Sequence, residues 1–203
     1  MPTHSDCSKE GPRIFPLRIP SINRQWERVL HLGTKRVYSA NEPVLCEKAI
    51  CNDLLYLASG RVRCEHPGIK GNLKICFYAE SGSIFAEAVT VCRGPVVANF
   101  VATKRSIIYA FSRETLRDRI VVQHPDLAFN LMEAMAYKIR MYSMHLCSIT
   151  LSDIGGQVCR ILYHILLENR ETRECVPRIS QQEIGDMLGV HRNTVVRAVR
   201  RSC

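Results

Sequence analysis

The chain has no stretch of the ~18 or more uncharged apolar residues that a bilayer-spanning helix requires. Its opening, Met1-Pro2-Thr3-His4-Ser5-Asp6, has neither the basic start nor the apolar core of an export signal. A cytoplasmic protein with no membrane partner is therefore expected. Ordered cysteine spacing is missing as well. Ten cysteines occur in 203 residues, yet no C-x-x-C is among them and the closest pair is Cys46 and Cys51. The usual zinc and iron-sulfur spacings are absent, so no metal and no cofactor is expected, and reduced thiols are the default without an export signal. Catalytic signatures are lacking too: there is no nucleophile elbow, no P-loop and no paired acidic motif, so an enzyme is not expected. Negative charge is in deficit, with 19 Asp plus Glu against 28 Lys plus Arg and a net charge of +9, which favours a polyanionic partner.

What is present is enough for a core. An apolar content of 46% is ordinary for a globular chain, and the length suits one large or two modest domains. Residues 1–30 read as a leader with a short helical segment near Gln25 to Leu32. From Lys35 to Phe111 the pattern is of short strands. Leu54-Leu55-Tyr56-Leu57 leads to Ser59-Gly60, Arg61 to Glu65 alternates like a half-buried strand, and a loop from His66 to Asn72 joins it to Leu73–Tyr78 as a hairpin. Further strands are expected at Val96 to Val101 and Ile107 to Phe111. With no helix expected between them, the strands imply an antiparallel sandwich or barrel. Cys64, Cys76, Cys92 and Cys159 sit among apolar neighbours and read as small core residues.

Pro125 then suits a first helical turn, and neither glycine nor proline follows until Gly155. One long helix is expected. Ala128, Met132, Met135, Ile139, Tyr142, Leu146 and Ile149 recur at spacings of four and three, the seam of a coiled coil, and predict a homodimer. The alternative is a stripe that packs on its own β domain. Gly155-Gly156 marks a break or an easily bent point before a helix from Val158 to Glu168.

The most specific pattern runs from Ile179 to Arg197. Ser180 followed by Glu183 is a capping box that opens a helix with Ile184, Met187 and Leu188 on one apolar face, and Gly189 ends it. A second helix from near Arg192 buries Val195, Ala198 and Val199, with small Gly185 allowing close approach of the two. This is the pattern of a helix-turn-helix. Its expected contacts to double-stranded DNA are Ser180, Gln181, Arg192, Asn193, Thr194, Arg197, Arg200 and Arg201. Arg pairs two donors with guanine, Asn does so with adenine, and Thr reaches a phosphate or a thymine methyl.

An antiparallel barrel, a long dimer helix and a helix-turn-helix in this order resemble the cyclic-AMP receptor and fumarate-nitrate regulator (CRP/FNR) family of bacterial transcription factors. The resemblance spans about Ile14 to Arg201. Its local signatures are Leu55-Tyr56-Leu57-Ala58-Ser59-Gly60-Arg61-Val62-Arg63, the turn Gly82-Ser83-Ile84-Phe85-Ala86-Glu87, and the helix-turn-helix itself. It implies an α+β fold with a cupin-like, cyclic-nucleotide-binding type barrel. The organisation implied is a leader at 1–30, an effector-sensing barrel at 31–123, a dimerisation helix at 124–151 and a DNA-binding domain at 152–203. The partners implied are a second copy of the chain, a palindromic operator and, for an activator, RNA polymerase.

Several positions depart from the family pattern. Ala86 stands where the turn usually has a second glycine, while Glu87 is kept. Cyclic-nucleotide binders of the family hold the phosphate with an arginine and a small polar residue. Here the matching stretch is Val96-Val97-Ala98, with Arg93 the nearest cation, so cyclic AMP is not the expected effector. Cys7 is all that remains of the clustered cysteines of the oxygen-sensing branch. No haem ligand lies in Ala86–Val91, which leaves His145 and Cys92 as residual candidates. The chain is similar to regulators that respond to halogenated phenols. Lys138 falls where those place an effector-facing lysine, and Tyr78, Glu87 and Tyr142 complete the expected pocket. The alternative is a Lys138 that reaches solvent beside the seam. The family's recognition helix often reads Arg-Glu-x-x-x-x-Arg; Arg192 and Arg197 match it, but Asn193 replaces the acid, so base preference there should differ. No two-stranded wing follows Arg200-Arg201-Ser202-Cys203, so a rival expectation is an effector- or partner-binding dimer with a truncated DNA module. Redox control through Cys7 and Cys203 is the remaining modifier.

Overall fold

The run Leu54-Leu55-Tyr56-Leu57 is buried on both faces, and the molecule is organised around it. Successive strand residues point to opposite faces, so Leu55 and Leu57 enter one apolar cluster while Leu54 and Tyr56 enter another. The computed structural model describes residues 18–68, 73–172 and 179–202, with side chains described up to 166 and from 179 to 200.

The first part of the chain gives β1 (Arg18–Ile19), a 3-10 helix (Arg24–Leu32), β2 (Thr34–Tyr38), β3 (Pro43–Leu45), β4 (Asp53–Ser59) and β5 (Arg61–Pro67). Then come β6 (Leu73–Glu80), β7 (Ser83–Phe85), α1 (Glu87–Cys92), β8 (Asn99–Ala102) and β9 (Ser106–Ser112). The short α2 (Arg113–Thr115), a π-helical turn (Leu116–Ile120) and α3 (Val121–Gln123) lead into four longer helices. These are α4 (Pro125–Leu151), α5 (Ile154–Thr172), α6 (Gln181–Leu188) and α7 (Arg192–Ser202).

The strands form two sheets, ordered β1-β6-β5-β8-β3 and β2-β9-β4-β7. The fold class is α+β, as expected, with the strands in a jelly-roll-like sandwich, the first of the two expected arrangements, rather than a closed barrel. Among the described residues no ladder joins the two sheets at their edges, where β3 and β7 are three residues each. All pairings are antiparallel except β1 with β6. Two further expectations change. The strand run is interrupted by α1, whose six residues are too few to show a helical period in sequence. The strand expected at Val96 begins instead at Asn99, because Val96 turns its backbone to Lys48 and Ala49. The hairpin loop at 69–72, Cys7 and Cys203 lie outside the described residues.

Between the sheets lie Leu55, Leu57, Val62, Cys64, Phe77, Phe85, Phe100 and Ile108. Trp26 and Val29 of the 3-10 helix and Leu127, Leu131 and Ala134 of α4 cover the outer face of the second sheet, packing on Leu54, Tyr56 and Phe111. Pro125 occupies the first turn of α4, where its missing N–H costs nothing. The helix runs unbroken for 27 residues and ends at Leu151. The next helix starts earlier than Val158. Gly155 and Gly156 belong to its first turn, where the Asp153 carboxylate accepts the Gly156 N–H at 2.8 Å. Cys92 and Cys159 are exposed rather than core residues.

Candidate functional site

Two regions carry chemistry, one at the junction of the sandwich with α4 and one on α7. On α4 the buried positions Leu127, Leu131, Ala134, Lys138 and Met141 form one stripe at helical spacing, and the stripe draws Lys138 inward with its apolar neighbours. Its exposure is 5%, which overturns the alternative of a solvent-reaching lysine. The ammonium donates to Glu87 Oε1 at 2.6 Å and to the Ile84 carbonyl at 3.0 Å, and lies 5.8 Å from the centre of the Phe77 ring. Glu87, the first residue of α1, is itself only 7% exposed. Burial pushes the Lys138 ammonium below its ordinary range, and Glu87 opposes that push. Lys138 is thus a desolvated cation with a carboxylate, a carbonyl and an aromatic face around it.

Tyr142, one turn further along α4, packs edge-on against the same Phe77 ring with centroids 6.4 Å apart. Burial raises its phenol well above the usual range, with Cys64, Cys76 and Glu87 adding to the effect. Lys138, Glu87 and Tyr142 therefore meet around Phe77. Tyr78 does not join them. It lies on the opposite face of β6 from Phe77, beneath the Arg61 guanidinium at 5.8 Å from its ring centre, and its hydroxyl senses Glu183 and Asp186 of α6.

Sequence reasoning missed the groups that hold this site. The Ile84 peptide is gripped from both sides: its carbonyl accepts from Lys138 and its N–H donates to Asn23 Oδ1 at 3.1 Å. Asn23 in turn donates to Asn130 Oδ1 at 2.7 Å, which also accepts the Trp26 indole N–H at 3.0 Å. Asn130 Nδ2 donates to the Ile22 carbonyl at 3.0 Å. A main-chain acceptor leaves no mark in sequence. Asn130 left one, as the single polar residue between Leu127 and Leu131 on the buried stripe of α4.

Ala86 directly precedes Glu87 and has φ 64°, ψ 13°. This left-handed conformation costs an L-residue about 1–2 kcal/mol that glycine avoids. Ala86→Gly should accordingly raise stability by about 0.5–1 kcal/mol, the relief of strain exceeding the added entropy of the unfolded chain. Urea unfolding midpoints at unchanged slope measure this; a lower midpoint would count against strain at Ala86.

The second region is built by local rules. Ser180 Oγ accepts the Glu183 N–H at 3.1 Å while Glu183 Oε2 accepts the Ser180 N–H at 2.8 Å, so the capping box opens α6. Gly189 closes it with φ 73°, and a Cβ on Gly185 would stand 2.8 Å from the Val190 carbonyl oxygen, which only glycine permits. Buried Ile184, Met187, Leu188 and Val195 lock α6 to α7, with Ala198 and Val199 half-buried. Arg192, Asn193, Arg197 and Arg200 are exposed, Thr194 is half-buried, and Ser180 and Gln181 are exposed at the start of α6. Arg197 Nε donates to the Asn193 carbonyl at 3.3 Å. The Arg201 side chain is outside the described residues.

Along α4, Met132 (57%), Ile139 (67%) and Leu146 (59%) stand open at seven-residue intervals, joined by Tyr142, Ile149 and the unexpected Phe129. Met135, expected in the same seam, turns partly onto the cluster beneath the second sheet. No helix among the described residues is long and apolar enough to cross a membrane, and no cluster of potential metal ligands occurs among them.

Comparison with known proteins agrees with this geometry. Residues 35–121 match the family described as Cyclic nucleotide-binding domain. Over 187 residues the chain is 25% identical to the cAMP-activated global transcriptional regulator CRP of Pasteurella multocida, covering 89% of this chain and 88% of that protein. Among solved structures it is similar to the c-di-GMP responsive global regulator CLP of Xanthomonas campestris, with a TM-score of 0.75 at 16% identity, covering 87% and 89% of the two chains. It is also similar to a cysteine-to-serine variant of CprK complexed with OCPA, with a TM-score of 0.72 at 18% identity and coverage of 93% and 86%.

Proposed function

We propose that this chain is a CRP/FNR-family transcription regulator, a homodimeric DNA-binding protein controlled by a small molecule sensed between the sandwich and α4. The observation that carries the DNA reading is the pairing of α6 and α7, in which Gly185 and the buried Val195 fix the second helix and leave Arg192, Asn193, Arg197 and Arg200 outward. Such a helix reads the major groove through its side chains, and two copies one helical turn apart read a palindrome. A regulator of this kind works in the cytoplasm, beside the chromosome.

The effector reading rests on Lys138. A desolvated ammonium is a strong partner for an acid or a phenol, and an effector carrying such a group exchanges with Glu87 for it. Tyr142, shared between this site and the open stripe of α4, couples occupancy to the dimer. The effector acts by favouring one arrangement of the two α4 helices and so the spacing of the two α7 helices. The responsiveness of CLP to c-di-GMP and the OCPA complex of CprK support small-molecule control.

The test is binding of a labelled palindromic fragment from the upstream region against random DNA, at two salt concentrations. A sequence preference with a steep loss of affinity on adding salt is the expected result. Arg197→Ala should cost about 1–3 kcal/mol on the preferred fragment and less on random DNA, relaxing specificity. Equal affinity for both fragments at both salts sinks the regulator reading.

A further inference from the structure

The ladder between β5 and β6 contains an extra residue. Cys64 pairs with Phe77 and Glu65 pairs with Ile75, so Cys76 has no partner of its own and bulges beside Cys64. Cys64 faces Phe77 directly, and the bulge holds the extra residue, Cys76, beside that pair on the neighbouring strand, an arrangement in which the roughly 4.4–6.8 Å Cα separation of a disulfide is within reach. Both thiols are free, and the bulge places them as neighbours on adjacent strands, where each shifts the titration of the other. Cys64 is 3% exposed in the inter-sheet core, whereas Cys76 is only partly buried at its margin.

We propose that Cys64 and Cys76 form a peroxide-oxidisable dithiol, in which Cys76 is the attacking thiol and Cys64 the resolving one. The inference does not depend on the DNA-binding reading. Cys76 has what an attacking thiol needs, namely access from solvent and stabilisation of its thiolate. The hydrogen bond from Cys64 lowers the Cys76 thiol, and the neighbouring Lys74 ammonium adds to this against the effect of burial. Cys64 is pushed the other way by the same hydrogen bond and by burial, as suits a thiol that stays protonated until its partner has reacted.

The chemistry balances with hydrogen peroxide as oxidant. The Cys76 thiolate attacks one peroxide oxygen, the O–O bond breaks, and hydroxide departs to take up a proton as water. Cys76 is then a sulfenic acid. The Cys64 sulfur attacks the Cys76 sulfur and gives up its proton, and the S–O bond breaks to release a second water. Two thiols have been oxidised by two electrons and one peroxide reduced to two waters.

The position of the pair gives the reaction a reach. On one side, Phe77, which faces Cys64 across the ladder, packs edge-on against Tyr142. On the other, Lys74, two residues from Cys76, donates through Nζ to the Met187 carbonyl at 2.5 Å, in the last turn of α6. A disulfide at the bulge tightens the strand that carries Lys74.

The test uses the full-length wild-type protein, reduced and then exposed to stoichiometric hydrogen peroxide. Intact mass should fall by about 2 Da, and non-reducing peptide mapping should place the first disulfide between Cys64 and Cys76. In Cys64→Ser, dimedone should label Cys76 and the disulfide should be lost. In Cys76→Ser, peroxide consumption should slow by roughly tenfold or more. A first disulfide between other cysteines, or Cys64 and Cys76 both reduced after treatment, would overturn the proposal on wild-type protein alone, whether or not the variants fold.

Discussion

Lys138→Met lowers the stability of the folded chain by about 3–5 kcal/mol, the usual loss when one partner of a buried ion pair is removed and the other stays behind uncompensated. For a chain of this size that is a fall of roughly 6–20 °C in melting midpoint. The size of the effect follows from Glu87, which is 7% exposed and bonded to this ammonium at 2.6 Å. The Ile84 carbonyl also loses its donor. Methionine keeps most of the length of the lysine stem, so a lost cavity contributes little. The double variant Lys138→Met/Glu87→Met should recover most of the loss, because a buried pair replaced by apolar side chains is commonly neutral or stabilising. Scanning calorimetry of both variants decides: a single variant as stable as the parent, or a double variant no better than the single, would mean that the pair is not the desolvated unit described here.

Ile139→Glu is expected to abolish the proposed dimer at micromolar concentration while leaving the fold of each copy intact. Ile139 is 67% exposed at the middle of the stripe that runs from Met132 to Leu146, so within one copy its replacement alters almost no packing. Surface changes of that kind stay within about 0.5 kcal/mol. Across a two-fold seam the same residue faces its own copy or a near neighbour, and two carboxylates forced together there cost several kcal/mol. A loss of about 3 kcal/mol is a more than hundredfold weaker dimer. Sedimentation velocity should therefore report a monomer whose urea midpoint at low concentration matches that of the parent. A persisting dimer would place the interface elsewhere and return the stripe to an internal role.

The helix-turn-helix was legible because its rules are local. The capping box, Gly185, Gly189 and the spacing of Ile184, Met187, Leu188 and Val195 act over a few residues and reappear as hydrogen bonds and burial. The long helix was legible for the same reason, since Pro125 and an uninterrupted apolar period suffice. Closure of the sheet was not, because whether edge strands meet depends on contacts far apart in the chain, and among the described residues the two sheets remain separate. Tyr78 was assigned to the wrong face since β6 is covered on both, by the inter-sheet core against Phe77 and by α6 on the side of Lys74 and Tyr78. Lys138 and Glu87 could be named as candidates from the family resemblance. That they hold each other, and that the Ile84 carbonyl also holds Lys138, depended on how α4 lies against β7.

One apolar cluster contains Leu55, Phe77 and Phe100 of the sandwich together with Ile161 of α5, Ile184, Met187 and Leu188 of α6 and Val195 of α7. A boundary drawn in the chain near Ser152 thus has no matching gap in the packing. Segments that share a continuous core open together, and the free energy of opening either part approaches that of the whole. The sandwich and the helix-turn-helix of this molecule accordingly share one core, and a disturbance to β6 is felt by α7 as a change in its own stability.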